Sequence, residues 1–209
     1  MSKYYAPLLP NQAYHVFNRA IGNERLFKTV DNFRYFLAKM AQHILPVAEI
    51  FTYSLIPNHF HLLIRVKDEK TIITYFELKK KKSFTSLENS LADFIMQQFS
   101  NWLNGYTKAF NKMYNRKGSL FIDYLKRSCV EKESDFTSFI FYIHKNAVHH
   151  GLCRKIGEWN YDSYRSLLSE KSTLLQREEV ISWFGSRELF IKFHTQPIQL
   201  KEMDLELNL

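Results

Sequence analysis

The stretch Pro57-Asn58-His59-Phe60-His61-Leu62-Leu63-Ile64 constrains the fold more than any other part of the chain. Its aromatic and aliphatic residues are typical of a strand, in which successive side chains point to opposite faces. His59 and His61 therefore share one face, and the apolar residues between and after them face the core. Two imidazoles roughly 7 Å apart along a strand can converge on one divalent ion. Two histidines make an incomplete metal site, and a His-x-His pattern alone is more often a strand with two partly exposed histidines.

The spacing of apolar residues predicts the elements around this strand. A first strand over 14–19 precedes a helix over 30–44, and a strand over 47–56 pairs with the histidine strand as an antiparallel hairpin. Residues 67–86 are polar and are predicted to be irregular. The later predicted elements are a helix over 87–113 that Asn104-Gly105 can bend, a strand over 120–130, a helix over 135–149 and a polar, partly helical tail over 159–209.

This order of elements predicts an α+β fold, with a ferredoxin-like (RRM-like) antiparallel sheet, packed helices and a C-terminal partly helical tail. A chain of 209 residues suits one domain with an appendage, or two small domains. We divide it into a domain over 1–155 and a C-terminal helical extension over 156–209.

The charge balance favours a polyanionic partner. Lys and Arg total 29 against 21 Asp and Glu, which gives a formal charge of +8 and a pI near 9.3. This excess favours nucleic acid before membrane, and no stretch is apolar enough to serve as a signal or a membrane span. Cys129 and Cys153 are far apart, so a reducing, cytoplasmic compartment is expected. The chain has neither a Rossmann fingerprint nor a P-loop, and no nucleotide cofactor is expected.

A helix late in the chain carries polar groups that could complete a site with the two histidines. Tyr142 and Asn146 lie four residues apart, so they share a helix face beside the apolar stripe. On this helix alone, an ordinary tyrosine at the rim of the core is the better interpretation. His144 lies about 200° around the helix from Tyr142 and is expected to face away. His149 and His150, at the helix end, are expected to cap carbonyls or to contact phosphates.

Taken together, these segments resemble the single-tyrosine HUH transposases and, more narrowly, their REP-associated branch. The resemblance rests on the histidine stretch and on Tyr142-Ile143-His144-Lys145-Asn146-Ala147-Val148-His149-His150-Gly151-Leu152. Supporting motifs follow in the family's order: Tyr14-His15-Val16-Phe17-Asn18-Arg19, Arg116-Lys117-Gly118-Ser119-Leu120-Phe121 and Trp159-Asn160-Tyr161-Asp162-Ser163-Tyr164. The similarity covers roughly residues 13–165. The family commonly has proline in place of Ala147 and serine in place of Asp162, and neither position carries chemistry.

The resemblance implies a metal-dependent enzyme that cleaves and rejoins single-stranded DNA bearing hairpins or palindromic repeats. His59, His61 and Asn146 would bind Mg²⁺ or Mn²⁺, and the two imidazoles favour Mn²⁺. Tyr142 would attack the scissile phosphate and form a 5′-phosphotyrosine. Residues 1–155 would be the HUH catalytic domain, and the extension would pack on it or on DNA. The enzyme would act in the cytoplasm, at the nucleoid when bound to DNA; a homodimer is allowed but not required, and no membrane partner is implied.

Several basic residues are candidates for contacts with the DNA backbone. Arg19, Lys126 and Arg127 lie on or beside predicted strands. Four consecutive lysines, Lys79, Lys80, Lys81 and Lys82, are as typical of a solvated surface as of a phosphate-binding one. The histidines His15, His43 and His194 are given no special role.

Two alternatives remain open. The first is a non-catalytic nucleic-acid-binding module of the same fold, which would keep the basic surface without the chemistry. The second is a nickase of the replication-initiation type, which shares the histidine pair and the tyrosine chemistry. A single candidate tyrosine and the motif over 159–164 favour the transposase branch.

Overall fold

The computed structural model describes residues 5–122 and 124–196. The strands within them are β1 Ala13–Arg19, β2 Ala48–Ile56, β3 His59–Val66 and β4 Lys126–Val130. The helices are α1 Val30–Ile44, α2 Glu69–Lys80, α3 Leu91–Met113, α4 Glu133–His149, α5 Tyr164–Leu168, α6 Arg177–Phe184 and α7 Arg187–His194. No helix in these ranges is both long and apolar enough to cross a membrane. The last part of the predicted tail, beyond residue 196, lies outside the described residues.

The strands form one antiparallel sheet in the order β2-β3-β1-β4. The connections are β1-α1-β2, a tight β2-β3 hairpin, and a helical crossover from β3 to β4. This is the β-α-β-β-α-β arrangement with the first and third strands in the centre of the sheet. The predicted α+β, ferredoxin-like fold is confirmed.

The sheet separates two layers of buried side chains. One face packs under α1, α2 and α3, in a cluster that includes Val16, Phe36, Phe60, Leu62, Ile72 and Trp102. The other face packs against α4 and the C-terminal helices, in a cluster that includes Phe51, Leu63, Ile140, Val180 and Phe190. His59 and His61 alternate with Phe60 and Leu62, so both histidines belong to the face that α4 covers.

Helix α2 corrects the prediction that residues 67–86 are irregular. Asp68 caps this helix, because its carboxylate accepts a hydrogen bond from the backbone N–H of Thr71 at 2.9 Å. Ile72 and Phe76 are its buried residues. An apolar stripe that short does not stand out in a lysine-rich sequence, so periodicity alone does not predict this helix.

Helix α3 differs from its prediction at its start and in its middle. It begins at Leu91 rather than at residue 87, because Ser90 caps it by accepting a hydrogen bond from the Asp93 N–H, at 3.2 Å. It also continues without a break through Gly105. Trp102 and other large residues on either side of that glycine are buried against the sheet, and this packing outweighs the low helix propensity of glycine.

Strand β4 is shorter than the strand predicted over 120–130. Only Lys126–Val130 pairs with β1, and Phe121 makes an isolated bridge to the residue after β1. Leu120 and Leu125 are nevertheless buried. Residues 120–122 and 124–125 therefore lie in a loop, and their apolar composition resembles that of a strand.

The described part of the C-terminal tail is tied to α4 by a chain of buried hydrogen bonds. His144 Nε2 lies 2.8 Å from Thr52 Oγ1 and 2.9 Å from Ser163 Oγ. On the other side of that ring, Nδ1 lies 2.9 Å from His194 Nε2. His194 Nδ1 donates to the Phe190 carbonyl at 2.8 Å, so its Nε2 must accept the proton of His144. The division of the chain at residue 155 stays a prediction.

The His144–His194 pair predicts that the protein loses stability in acid. Burial lowers the pKa of His194 from 6.5 to about 4 and that of His144 well below 6.5. Below 6.5 the unfolded chain therefore binds more protons than the folded one. The free energy of unfolding should fall by up to about 1.4 kcal/mol per pH unit for each histidine. Urea unfolding followed by circular dichroism, between about pH 7.5 and about pH 5, measures this.

The matched variant is His194→Gln, which removes one of the groups that take up a proton on unfolding. Its unfolding free energy should depend less steeply on pH than that of the wild type, even if it is less stable at neutral pH. A wild-type protein that is equally stable at both pH values would contradict the buried, neutral state of these two rings.

Candidate active site

Strand β3 presents two buried histidines to helix α4. In the β1–β3 pairing, Arg19 lies opposite His59 and Phe17 lies opposite His61, so these side chains share one face of the sheet. Burial lowers the pKa of His59 to about 3 and that of His61 well below its ordinary value. Both rings are therefore neutral at pH 7, and each has one nitrogen lone pair that can bind a metal ion.

Helix α4 brings Tyr142 and Asn146 over the same histidines. The Tyr142 ring meets the His61 ring edge-on, with centroids 5.5 Å apart. Asn146 Oδ1 lies 3.2 Å from His59 Nε2. The four side chains are between 1% and 9% exposed, so the site is nearly closed to bulk water. The structure thus brings together the four residues that the sequence proposed for a metal and nucleophile site, although they come from two distant segments.

His59 lies between two oxygen atoms, and this arrangement tests whether the site suits a cation. Its Nδ1 is 3.0 Å from Asn58 Oδ1, and its Nε2 is 3.2 Å from Asn146 Oδ1. A neutral imidazole has one N–H and can donate to only one of these oxygens. If Asn58 accepts that proton, the lone pair of Nε2 faces the oxygen of Asn146. A cation bound to both atoms would remove this repulsion, so the donor set fits a metal ion.

The separation of these atoms also suits a six-coordinate ion. Neighbouring ligands of an octahedral ion with bonds of about 2.1 Å lie about 3 Å apart, close to the 3.2 Å between His59 Nε2 and Asn146 Oδ1. Within the described ranges, no three His, Cys, Asp or Glu side chains form a group that could hold a metal ion. A site at this position would therefore need the amide oxygen of Asn146 as its third protein ligand.

His15 is part of this site, although its local sequence predicts no special role for it. Its Nε2 lies 3.0 Å from His61 Nδ1, and the two rings are nearly parallel, at 7°. It also meets the Tyr142 ring edge-on, with centroids 6.0 Å apart. The period of two in β1 puts His15 on the same face as Phe17 and Arg19, but nothing local says that β1 pairs with β3. The missing information was the long-range strand pairing.

Two histidines of the α4 region behave differently from each other. His144 faces away from the site, as the helical spacing predicted, and joins the network that includes His194. His150, which follows α4, lies nearer the site than expected, with its ring centroid 4.6 Å from that of His59. Burial lowers the pKa of His150 as well. It covers one side of His59 and is not needed as a ligand in the arrangement described above.

The candidate DNA-binding residues on the strands lie on two different faces of the sheet. Lys126 lies opposite Phe17, so it shares the face of the site with Arg19. Arg127 lies opposite Val16 and points to the other face, where it is buried. Its guanidinium donates to three backbone carbonyls, at 2.6, 3.0 and 3.2 Å. This interior position favours a structural role for Arg127, and its contact with the DNA backbone stays a prediction.

The lysine run, Lys79–Lys82, is exposed at the C-terminal end of α2. This helix belongs to the layer on the opposite face of the sheet from His59 and His61. Lys79 Nζ donates to Gln98 Oε1 of α3 at 2.6 Å, which ties that lysine to its own layer. The structure does not bring the lysine run together with the candidate site.

Comparisons with known proteins identify a similar fold. No protein-family model matches the chain, and no curated protein matches it. A solved structure described as the REP-associated tyrosine transposase bound to a REP hairpin is similar, with a TM-score of 0.57 and 12% sequence identity. The match covers 81% of this chain and 87% of that chain. The two chains share a fold. In this chain, the candidate site lies on the four-stranded antiparallel sheet of that fold.

The geometry of the site predicts that Mn²⁺ binds the DNA-free protein through His59. His59→Ala removes a metal ligand itself. It should therefore weaken Mn²⁺ binding by more than the 10–100-fold that is typical when a residue hydrogen-bonded to a ligand is lost. Isothermal titration calorimetry measures the affinity. His43→Ala is the matched control, since His43 lies on α1, in the layer on the other side of the sheet. Equal affinity of His59→Ala and the wild type would rule out this site.

Proposed function

We propose that this chain is a single-tyrosine HUH transposase of the REP-associated branch, which cleaves and rejoins hairpin-bearing single-stranded DNA in a metal-dependent reaction. The observation that supports this most is the convergence of His59 and His61 with Tyr142 and Asn146 at one buried site. The shared fold with a protein described as a REP-associated tyrosine transposase bound to a REP hairpin supports the same proposal. The excess of basic residues suits a DNA partner.

In this proposal the ligand set consists of His59, His61 and Asn146. A divalent ion, Mg²⁺ or Mn²⁺, would act as a Lewis acid toward the scissile phosphate when bound there. The histidines contribute neutral nitrogen ligands, so they do not cancel the charge that the phosphate would meet. Two imidazoles in the ligand set favour Mn²⁺ over Mg²⁺ at equal concentration.

Tyr142 would be the nucleophile. Its Oη attacks the phosphorus in line with the leaving 3′ oxygen, so that the Oη–P bond forms while the P–O3′ bond breaks. The products are a 5′-phosphotyrosine and a DNA end with a free 3′-hydroxyl. The proton that the Tyr142 hydroxyl gives up balances the one that the leaving 3′ oxygen takes up. Since the phosphotyrosine is itself an ester, a 3′-hydroxyl can later attack it and rejoin strands without ATP.

Burial of the site adds to this chemistry. Because the four side chains are largely excluded from water, charges that meet there interact more strongly than they would in bulk solvent. The packing of Tyr142 against the edges of the His61 and His15 rings restricts its motion. A nucleophile held in this way loses less conformational entropy when it attacks.

The proposal predicts a covalent protein–DNA adduct at Tyr142. The wild type, incubated with Mn²⁺ and a hairpin-bearing oligonucleotide, should form an adduct that denaturing gels detect and mass spectrometry maps to Tyr142. Tyr142→Phe should abolish the adduct and leave DNA affinity nearly unchanged, because only the attacking oxygen is removed. The control is Tyr35→Phe, a tyrosine of α1 in the opposite layer, which should form the adduct normally.

The alternatives give different results in the same experiment. Tight hairpin binding by the wild type without any adduct would mean that the chain is a non-catalytic binding module. An adduct that forms but never rejoins to a 3′-hydroxyl would favour a nickase of the replication-initiation type. Rejoining of strands on hairpin substrates is the outcome expected of a transposase.

The face of the sheet on which a basic residue lies predicts whether that residue contacts the DNA. Arg19 and Lys126 share the face of the site, so Arg19→Ala and Lys126→Ala should each reduce the slope of log affinity against log salt by about 0.7. Lys81→Ala, in the opposite layer, is the control and should leave the slope unchanged. Fluorescence anisotropy on a single-stranded oligonucleotide, from about 50 to about 200 mM salt, gives the slopes. A larger reduction of the slope in Lys81→Ala than in Arg19→Ala or Lys126→Ala would indicate that the DNA passes along the lysine run instead.

A further inference from the structure

We propose that His15 is a positioning residue: it fixes the ring orientation of His61 so that Nε2 of His61 faces the metal ion, and it accepts the Nδ1 proton of His61 when the ion is bound. This inference rests on the metal site of the proposed function, but it is independent of the DNA chemistry. It concerns a histidine on β1 that touches neither the ion nor the DNA in the arrangement proposed above.

The hydrogen bond between the two rings determines which nitrogen of His61 can bind a cation. His61 Nδ1 lies 3.0 Å from His15 Nε2, so this nitrogen is occupied by the second histidine. Nε2 remains as the ligand atom, and it must then carry a lone pair rather than a proton. The proton of His61 therefore lies on Nδ1 and is donated to His15.

When an ion is bound to His61, the same bond also sets the tautomer of His15. Because its Nε2 accepts the proton of His61, the proton of His15 must lie on its own Nδ1. That atom is buried and has no hydrogen-bond partner among the described residues. Without an ion, the reverse tautomers keep the same bond and leave a lone pair, rather than an N–H, unpaired. Ion binding would therefore select one of two tautomer pairs.

The surroundings of His15 hold its ring in the required position. It stacks on Phe17 with a centroid distance of 4.9 Å and an angle of 18°, and it packs against Phe139 of α4 at 5.3 Å. The ring is completely buried. Enclosed by aromatic rings from the sheet and from α4, it cannot turn away from His61 without disturbing the core.

Metal-bound histidines commonly donate their second N–H to a carboxylate, a carbonyl or a water, and loss of that partner typically costs 10–100-fold in metal affinity. His15 would fill that role as a neutral imidazole. A neutral acceptor adds no negative charge to the site, which therefore stays more positive toward a phosphate than one backed by a carboxylate.

The first test compares variants at position 15 in the DNA-free protein. His15→Phe keeps an aromatic ring but removes the acceptor, and it should lower Mn²⁺ affinity about 10–100-fold in calorimetry. His15→Gln can offer an amide oxygen near the position of Nε2 and should recover part of this loss. His43→Phe, on α1, is the control and should bind as the wild type does.

A second measurement reads the tautomer directly. Two-bond ¹⁵N–¹H correlation spectra of the wild type with Mg²⁺ should show both His61 and His15 protonated at Nδ1, the tautomer pair in which His15 Nε2 accepts the His61 proton. Protonation of His61 at Nε2 in the Mg²⁺-bound wild type would overturn the inference. This measurement needs only the wild type, so it decides the question even if His15→Phe fails to fold.

The outcomes separate this inference from the metal site itself. If His15→Phe binds Mn²⁺ like the wild type while His59→Ala does not bind, the role of His15 is wrong and the metal site stands. If His59→Ala also binds like the wild type, both are wrong. Weak binding by both variants, with recovery in His15→Gln, supports both.

Discussion

The packing of α4 on the open face of the sheet is the interaction on which the candidate site depends. Ile140, Ile143 and Ala147 are buried against this face, and the same helix carries Tyr142 and Asn146. Burial of such side chains contributes about 1.5–3 kcal/mol each for the larger ones, so the helix is held firmly. The same burial excludes water from His59 and His61 and keeps them neutral. Stability and ligand chemistry therefore have one physical cause.

The C-terminal helices stabilise the site through contacts on the side of α4 that faces away from the metal ligands. His144, on the far side of α4 from the metal ligands, connects to β2 through Thr52 and to α7 through His194. These bonds fix the rotation of α4 about its own axis, and that rotation determines where Tyr142 lies over the histidines. Changes in α7 should thus affect the geometry of the site although no residue of α7 belongs to it.

The sequence predicted those features that depend on local periodicity. The period of two in β3 placed His59 and His61 on one face, and the four-residue spacing of α4 placed Tyr142 beside Asn146. What it missed depended on long-range pairing or on weak local signals. The contact of His15 with His61 and the inward direction of Arg127 both follow from the register of β1 with its neighbours. Helix α2 was missed because it buries only a short apolar stripe.

The two oxygen atoms around His59 have a consequence for how an ion would enter. In the ion-free protein, a half-turn of the Asn146 amide would bring its NH₂ group to face His59 Nε2, and the repulsion between two acceptors would become a hydrogen bond. Loading the site would then require that bond to break and the amide to turn back. Because Asn146 belongs to α4 and is buried where this helix packs on the sheet, such a rotation needs that packing to loosen. The rate of metal uptake would therefore depend on how often the packing of α4 on the sheet loosens, and not only on the affinity for the ion.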